Sequence, residues 1–132
     1  MIKFSHTIFY VKDVLKTVQF YESAFGIKPK FVHESNAYAE LMTDGVTLGF
    51  ASEELGHMNF PKGFQQNTLD KAPQACEIAL TTNDPAKYYK QALKSGAVDL
   101  TPPTLKPWGQ IVAYVRDPNG ILIEIAGELP QA

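Results

Sequence analysis

The sequence predicts an α+β domain that consists of two tandem βαβββ modules. A strand-like segment, an amphipathic helix and several short extended segments follow one another in that order, and then the same order occurs again. Residues that begin or end these elements repeat at a nearly constant offset, in the pairs Asp13 and Asp84, Gly26 and Gly96, and Gly45 and Gly120. We therefore predict one domain over residues 1–132, with module 1 at 1–54, a linker at 55–74 and module 2 at 75–132.

The first module opens with Lys3–Val11, whose aromatic and β-branched residues predict a strand. Asp13 suits a helix N-cap, and Gly26 suits the left-handed residue that ends a helix. Between them, apolar residues with helical spacing predict a buried face, at Val14, Val18, Tyr21 and Phe25. Three extended segments follow, at Phe31–Glu34, Tyr38–Thr43 and Val46–Ala51, and the pair Asp44–Gly45 predicts a hairpin turn between the last two.

The second module repeats this pattern. Glu77–Thr82 predicts a strand, and Asp84–Pro85 predicts a helix start that Ser95–Gly96 later closes. Further strands are predicted at Val98–Leu100, Gln110–Arg116 and Ile121–Ala126, with a tight turn at Asp117–Gly120 before the last one. The segment Ser52–Ala75 shows no clear period, and a connection of that length in a small domain is usually functional or mobile.

Composition excludes several classes of function. Twelve Lys and Arg residues stand against 14 Asp and Glu residues, for a net charge of -2, so the basic surface that nucleic-acid binding requires is not expected. The single cysteine, Cys76, excludes an intrachain disulfide. Apolar runs are shorter than the roughly 18–20 residues that span a bilayer. We expect a cytoplasmic protein without a nucleic-acid or membrane partner.

Side-chain alternation singles out two carboxylates. In the last predicted strand, Ile121, Ile123 and Ile125 share one face that suits packing against a helix, so Glu124 points to the other, concave face. By the same alternation Glu77 faces the cleft, and His6 is its counterpart in the first module. An ionised carboxylate in an apolar strand is costly unless it is paired, hydrogen-bonded or bound to a metal. Two structural alternatives stay open: His6 as a hydrogen-bonded cleft or core histidine, and Glu124 as a carboxylate that a tyrosine or the backbone satisfies.

A second group of residues suits a small-molecule pocket. Gln110 and Tyr114 lie on one face of a predicted strand, and Trp108 precedes it closely. An aromatic ring with a polar tip is common in such pockets. Arg116 lies further along the same face, where we expect a solvent-exposed side chain or, alternatively, a counter-charge for an anionic substrate.

The segment from Lys106 to Ile125, KPWGQIVAYVRDPNGILIEI, resembles the C-terminal motif of the vicinal oxygen chelate superfamily. The opening HTIFYVKD at His6–Asp13, with Phe20–Tyr21 and Phe25–Gly26, is similar to the first module of that superfamily. Its members include glyoxalases, bleomycin and fosfomycin resistance proteins and extradiol dioxygenases. The resemblance implies paired modules whose sheets form half-barrels around a cleft, and a homodimer that completes the cleft.

The resemblance also implies a metal site. Three of the superfamily's four ligand positions correspond to His6, Glu77 and Glu124, and the fourth corresponds to Gly49, which offers no ligand. Nearby carboxylates that could substitute, at Glu40, Glu53 and Glu54, are interpreted as out of register. The implied cofactor is a divalent cation among Mn²⁺, Mg²⁺, Fe²⁺, Ni²⁺ and Zn²⁺, with harder cations favoured over Zn²⁺ because the donors are mostly carboxylates.

Two functions are consistent with these features. In the first, a glyoxalase-like lyase, isomerase or dioxygenase binds vicinal oxygens of a small substrate to the metal, while Glu124 or Glu77 moves the proton. In the second, a metal-free protein sequesters an aromatic or cationic compound in a cleft with aromatic walls, at Trp108, Tyr114, Tyr38 and Phe50.

Overall fold

A computed structural model describes residues 1–130 and divides the chain into two compact units. Unit 1 comprises Met1–Glu22 and Gly26–Gln66, and unit 2 comprises Ser23–Phe25 and the chain from Asn67 onward. Each unit contains a four-stranded mixed sheet, so the prediction of an α+β fold with two tandem modules is confirmed. The last two residues of the predicted second module lie outside the described residues.

The first module folds in the order β1 (His6–Val11), α1 (Val14–Phe25), β2 (Pro29–Val32), β3 (Tyr38–Leu41), β4 (Thr47–Ser52) and α2 (Glu53–Asn59). Its sheet has the strand order β1-β4-β3-β2. Strand β1 pairs in parallel with β4, and the other two pairs are antiparallel. The parallel pair needs a long crossover, which α1 and the β2–β3 hairpin supply.

The second module has the same order of strands and helix: β5 (Glu77–Thr81), α3 (Pro85–Lys94), β6 (Val98–Leu105), β7 (Ile111–Arg116) and β8 (Leu122–Ala126). Its strand order is β5-β8-β7-β6, and β5 pairs in parallel with β8. The two sheets therefore share one topology, and each strand of one module has a counterpart in the other.

The helix ends agree with the predicted capping residues. The carboxylate of Asp13 accepts a hydrogen bond of 3.0 Å from the backbone N–H of Lys16, which satisfies one of the free donors in the first turn of α1. Gly26 ends that helix in the left-handed conformation, with φ of 69°. Asp84 caps α3 in the same way through the N–H of Lys87.

Apolar side chains fill one face of each sheet. In unit 1 Tyr21 of α1 stacks on Phe50 of β4, with ring centroids 5.1 Å apart, and both residues are fully buried. In unit 2 Ile123 and Ile125 of β8 are buried, as the alternation predicts. Glu124, between them, therefore projects from the other face of the sheet.

Strands β1 and β2 differ from their predicted bounds by two or three residues, and two other elements differ more. The segment that follows β4 begins with a short helix, α2, whose N-cap Ser52 accepts a hydrogen bond from the N–H of Leu55. Strand β6 continues past the predicted end at Leu100 to Leu105, through Pro102 and Pro103. It tolerates both prolines because it is the edge strand of its sheet, where a missing N–H donor costs little.

Within residues 1–130, none of the helices has both the length and the apolar character that a membrane span requires.

Candidate functional site

The first group of polar side chains in unit 1 centres on Glu40. The carboxylate Oε2 of Glu40 lies 3.0 Å from Nε2 of His6, and the hydroxyl of Tyr38 donates to the same oxygen over 2.8 Å. The other ring nitrogen of His6, Nδ1, lies 2.7 Å from the hydroxyl of Ser5. We call His6 and Glu40 the imidazole pair. Its carboxylate is largely buried, with 11% of the side chain exposed, whereas 37% of the His6 side chain is exposed.

The strand register explains why Glu40 reaches this position. Glu40 of β3 lies directly opposite Gly49 of β4, and Gly49 in turn lies opposite Ile8 of β1. In unit 2 the corresponding residues are Tyr114, Glu124 and Ala79. In the first module the carboxylate therefore lies two strands away from β1, whereas in the second module Glu124 lies on the strand next to β5.

The interpretation that no nearby carboxylate is in register with Gly49, the position that lacks the fourth ligand, is wrong for Glu40. It lies across from Gly49 in the β3–β4 ladder, whereas Glu53 begins the next helix and accepts a hydrogen bond from Gln66. Because Gly49 has no side chain, the Tyr38 ring can lie next to it. A Cβ atom there would lie 2.8 Å from the Tyr38 hydroxyl, so glycine leaves the room in which Tyr38 holds Glu40.

A matching group of side chains lies in unit 2. The hydroxyl of Tyr114 donates to Oε1 of Glu124 over 2.8 Å, across the β7–β8 ladder. Glu77, on the neighbouring strand β5, experiences the charge of Glu124. We call Glu77 and Glu124 the carboxylate pair. Each module thus places one glutamate under a tyrosine hydroxyl, with a second ionisable group on its edge strand.

Burial and the hydrogen bonds to the glutamates both raise the pKa values of the two tyrosines. Burial, the hydrogen bond to Glu40 and the charge of Glu40 raise the pKa of Tyr38 to about 12. The hydrogen bond to Glu124, followed by burial, raises the pKa of Tyr114 to about 12. Both hydroxyls therefore keep their protons at neutral pH and donate these hydrogen bonds.

Glu77 differs from the two hydrogen-bonded glutamates. The residue is exposed, yet partial desolvation of its carboxyl raises the pKa, and the negative charge of Glu124 raises it further. The ionised form of Glu77 is therefore less favourable here than in water. Either a proton or a cation close to the carboxylate pair relieves this repulsion.

The donors in these two pairs are chemically suited to a divalent cation. The imidazole pair offers one nitrogen and one carboxylate, and the carboxylate pair offers oxygen alone, a mixture that Mn²⁺ and Fe²⁺ accept readily. Metal binding by His6 requires a ring nitrogen without a proton, so it competes with the hydrogen bond to Glu40. In the described part of the chain, no three His, Cys, Asp or Glu side chains stand close enough together to hold a metal ion. The structure thus brings together two candidate donors in each unit, and it does not test the predicted set of His6, Glu77 and Glu124.

Two of the predicted pocket residues of the second module, Trp108 and Gln110, are linked by a hydrogen bond. The indole N–H of Trp108 donates to the side-chain oxygen of Gln110, whose amide donates to the carbonyl of Gly127, each over 2.8 Å. The Trp108 side chain itself is exposed. The ammonium group of Lys106, two residues before Trp108, lies 5.7 Å from the centre of the Tyr114 ring. Trp108 and Tyr114 are accessible to a small molecule, and Gln110 positions the indole.

Phe50 does not line a cleft. Its side chain is fully buried against Tyr21 and Phe9, on the opposite face of β4 from Gly49. The prediction that Phe50 forms a wall of a binding site is wrong in this structure, because alternation along β4 directs it into the core. Tyr38, on the adjacent strand, is partly exposed, so its ring is accessible to a small molecule.

Arg116 is also buried, which corrects the expectation of a solvent-exposed arginine. Only 6% of the residue is exposed. Its guanidinium donates to backbone carbonyl oxygens of Gly120, Thr68 and Lys71 over 2.9 Å each, and more weakly to that of Leu69. Arg116 therefore holds segment 68–71 against the β7–β8 turn and offers no charge to a substrate.

The comparison with protein families gives one match that covers most of the chain. The family model described as the Glyoxalase/Bleomycin resistance protein/Dioxygenase superfamily matches residues 3–125. Among curated proteins, the chain is similar to the lactoylglutathione lyase GLX1 of Arabidopsis thaliana, with 26% identity over 125 residues that represent 93% of this chain. The chain spans only 43% of the length of that relative.

Solved structures share the fold at lower sequence identity. A glyoxalase-related enzyme from Fulvimarina pelagi superimposes with a TM-score of 0.81 and 19% identity, over 97% of this chain and 89% of that one. A glyoxalase/bleomycin resistance protein/dioxygenase family enzyme from Burkholderia phytofirmans PsJN has a TM-score of 0.75 and 19% identity, over 97% of this chain and 100% of the other. At this identity the similarity concerns the fold alone.

Proposed function

Because the chain belongs to the glyoxalase/bleomycin resistance protein/dioxygenase superfamily, we propose that it is a glyoxalase-type enzyme that depends on a divalent metal and acts on a small substrate with vicinal oxygens. The observation that carries this proposal is the pair of ionisable groups in each module, with a tyrosine hydroxyl on one glutamate of each pair. The similarity to a lactoylglutathione lyase supports a lyase or isomerase rather than a dioxygenase.

The candidate metal ligands are His6, Glu77 and Glu124, to which the strand register adds Glu40 opposite Gly49. These residues would hold the divalent cation, which would supply Lewis-acid chemistry towards enolate-like charge on the substrate oxygens. Tyr38 and Tyr114 keep Glu40 and Glu124 oriented, because each tyrosine stays protonated at neutral pH and donates a hydrogen bond to its glutamate.

Glu77 and Glu124 are the candidates for proton transfer. A general base works best when its pKa lies near the operating pH, and the pKa of Glu77 is raised in that direction by partial desolvation and by Glu124. Among residues 1–130 no tyrosine donates a hydrogen bond to Glu77 as Tyr114 does to Glu124, so we assign proton transfer to Glu77 and a positioning role to Glu124.

A thermal-shift series with Mn²⁺, Ni²⁺, Zn²⁺ and Mg²⁺ tests the metal dependence. The purified protein is first treated with a chelator, and the melting temperature is measured with and without each cation. A cation that binds only the folded state at about a hundredfold excess over its Kd adds about 2.7 kcal/mol to the free energy of unfolding, so we expect a clear rise with at least one of the four.

The reaction is tested on the same samples by following the formation and breakdown of lactoylglutathione. We expect turnover after the addition of metal and none in the presence of the chelator. An unchanged melting temperature with all four cations contradicts the metal proposal and favours a binding protein that sequesters a small aromatic or cationic compound.

We further propose that the protein forms a homodimer in the cytoplasm. Strands β1 and β5 are each at an edge of their own sheet, and the apolar side chain of Ile8 on β1 is exposed. A second copy that covers such an edge protects its free backbone groups and its apolar side chains. Light scattering at micromolar concentration is expected to give the mass of two 14.6-kDa chains, and the mass of a single chain contradicts the proposal.

A further inference from the structure

A cleft of about 530 Å³ opens in unit 1 beside the imidazole pair. Its lining residues come from the segment before β1, from the ends of β1, β2 and β4, and from β3. They include Lys3, Phe4, His6, Lys30, Glu40 and Val46. The volume falls within the range of roughly 300–1,000 Å³ that is usual for small-molecule sites.

The charges around this cleft have the opposite sign to the charge of the whole chain. The chain carries a net charge of -2, yet two lysines, Lys3 and Lys30, line the cleft. The carboxylate among the lining residues is Glu40, which accepts hydrogen bonds from Tyr38 and His6. Glu40 is therefore already engaged, whereas no ion pair of either lysine is found among the described residues.

The walls of the cleft also provide apolar surface. Phe4 is 71% exposed and Val46 is 42% exposed, and both lie among the lining residues. Apolar side chains at this exposure lose contact with water when a ligand covers them, which favours a ligand with an apolar body. Two ammonium groups and an apolar wall together suit a molecule that combines a negative charge with a hydrocarbon or aromatic part.

We propose that this cleft binds the substrate through a carboxylate group, with Lys3 and Lys30 as the counter-charges and with Phe4 and Val46 against the apolar part. The inference rests on the proposed function, because it takes the ligand of the cleft to be the substrate of the metal-dependent reaction. It then narrows that substrate to small organic acids whose other end reaches the imidazole pair.

Binding of three related probes to the chelator-treated protein tests this proposal without metal. Phenylacetate carries the charge and the ring, 2-phenylacetamide has the same shape without charge, and phenethylamine carries the opposite charge. Backbone amide chemical shifts in NMR titrations give both the affinity and the location. We expect phenylacetate to bind most tightly and to perturb Phe4, Lys30 and Val46, with a preference that weakens as salt is added.

Substitution of the lysines provides the matched control. Lys30→Gln is expected to weaken phenylacetate binding by about threefold to fivefold, since one exposed counter-charge contributes no more than that. The affinity for 2-phenylacetamide is expected to stay unchanged, and the double variant Lys3→Gln/Lys30→Gln is expected to abolish the preference for the acid. Lys62→Gln, which changes an exposed lysine outside the cleft, is expected to have no effect.

The proposal is overturned if the amide binds as tightly as the acid, if the shifts lie outside the cleft, if Lys62→Gln weakens binding as much as Lys30→Gln, or if millimolar phenylacetate causes no shifts. These outcomes are independent of metal binding. A protein that selects phenylacetate but takes up no metal contradicts the proposed function alone, and a protein that takes up metal but does not select the acid contradicts this inference alone.

Discussion

Glu40→Gln and Glu124→Gln are each expected to lower the affinity for the activating metal by more than tenfold, because the substitution removes a negatively charged ligand and keeps its shape. A glutamine oxygen can still accept the hydrogen bond that Tyr38 or Tyr114 donates, so we expect little change in the free energy of unfolding. Calorimetric metal titration and urea unfolding on the same samples measure the two quantities separately.

Two matched variants control for the loss of a carboxylate as such. Glu53→Gln changes another buried glutamate of unit 1, and Glu128→Gln changes an exposed glutamate close to β8. Both are expected to bind metal like the unaltered protein. If Glu124 is instead a structural carboxylate, Glu124→Gln loses about 1–3 kcal/mol of stability and keeps its metal affinity, and that result would favour a metal-free binding protein.

Arg116→Met is expected to lower the free energy of unfolding by about 2–4 kcal/mol, the largest effect on stability that we predict. Methionine fills much of the same space but leaves the carbonyl oxygens of Gly120, Thr68 and Lys71 without their buried donor. Urea unfolding measures the loss, and limited proteolysis is expected to cut segment 68–71 faster.

Two further variants show whether the guanidinium is responsible. Arg116→Lys is expected to recover only part of the stability, because a single ammonium group cannot reach carbonyl oxygens on both sides as the guanidinium does. Lys90→Met removes a positive charge from an exposed position of α3 and is expected to change stability by less than about 0.5 kcal/mol. A loss for Arg116→Met that is as small as the loss for Lys90→Met would show that the backbone contacts of Arg116 contribute little.

Local chemistry made most of the fold predictable. The capping residues Asp13 and Asp84 and the left-handed Gly26 mark helix ends through interactions with their immediate neighbours, so the helices begin and end close to the predicted residues. The repeated glycines at 45 and 120 correctly align Gly49 with Glu124, and each of these two residues lies opposite the corresponding residue of a parallel edge strand.

The pairing of Glu40 with Gly49 could also be predicted from the sequence, although an alignment of the two modules does not reveal this pairing. Counting outward along both strands from the predicted turn at Asp44–Gly45 pairs Glu40 with Gly49, which is the pairing in the structure. Comparison between modules cannot find this residue, because its counterpart in the second module is Tyr114 rather than a carboxylate.

The role of Arg116 could not be predicted in this way. Its acceptors are backbone carbonyl oxygens, which every residue carries, and most of them belong to a segment about 45 residues earlier in the chain. No pattern of side chains in the sequence indicates which carbonyl groups a distant arginine will meet. Helix α2 was easier to predict, because Ser52 followed by Glu53 and Glu54 is a usual pattern at a helix N-terminus.

We propose that Glu40 and Glu124, the glutamates that accept the two tyrosine hydrogen bonds, bind a divalent cation. Isothermal calorimetry of Mn²⁺ into the chelator-treated full chain tests it most directly, with Glu40→Gln and Glu53→Gln titrated under the same conditions. We predict saturable binding to the unaltered protein and to Glu53→Gln, and at least tenfold weaker binding to Glu40→Gln. Equal affinity for all three proteins, or no saturable binding to the unaltered one, would contradict the claim.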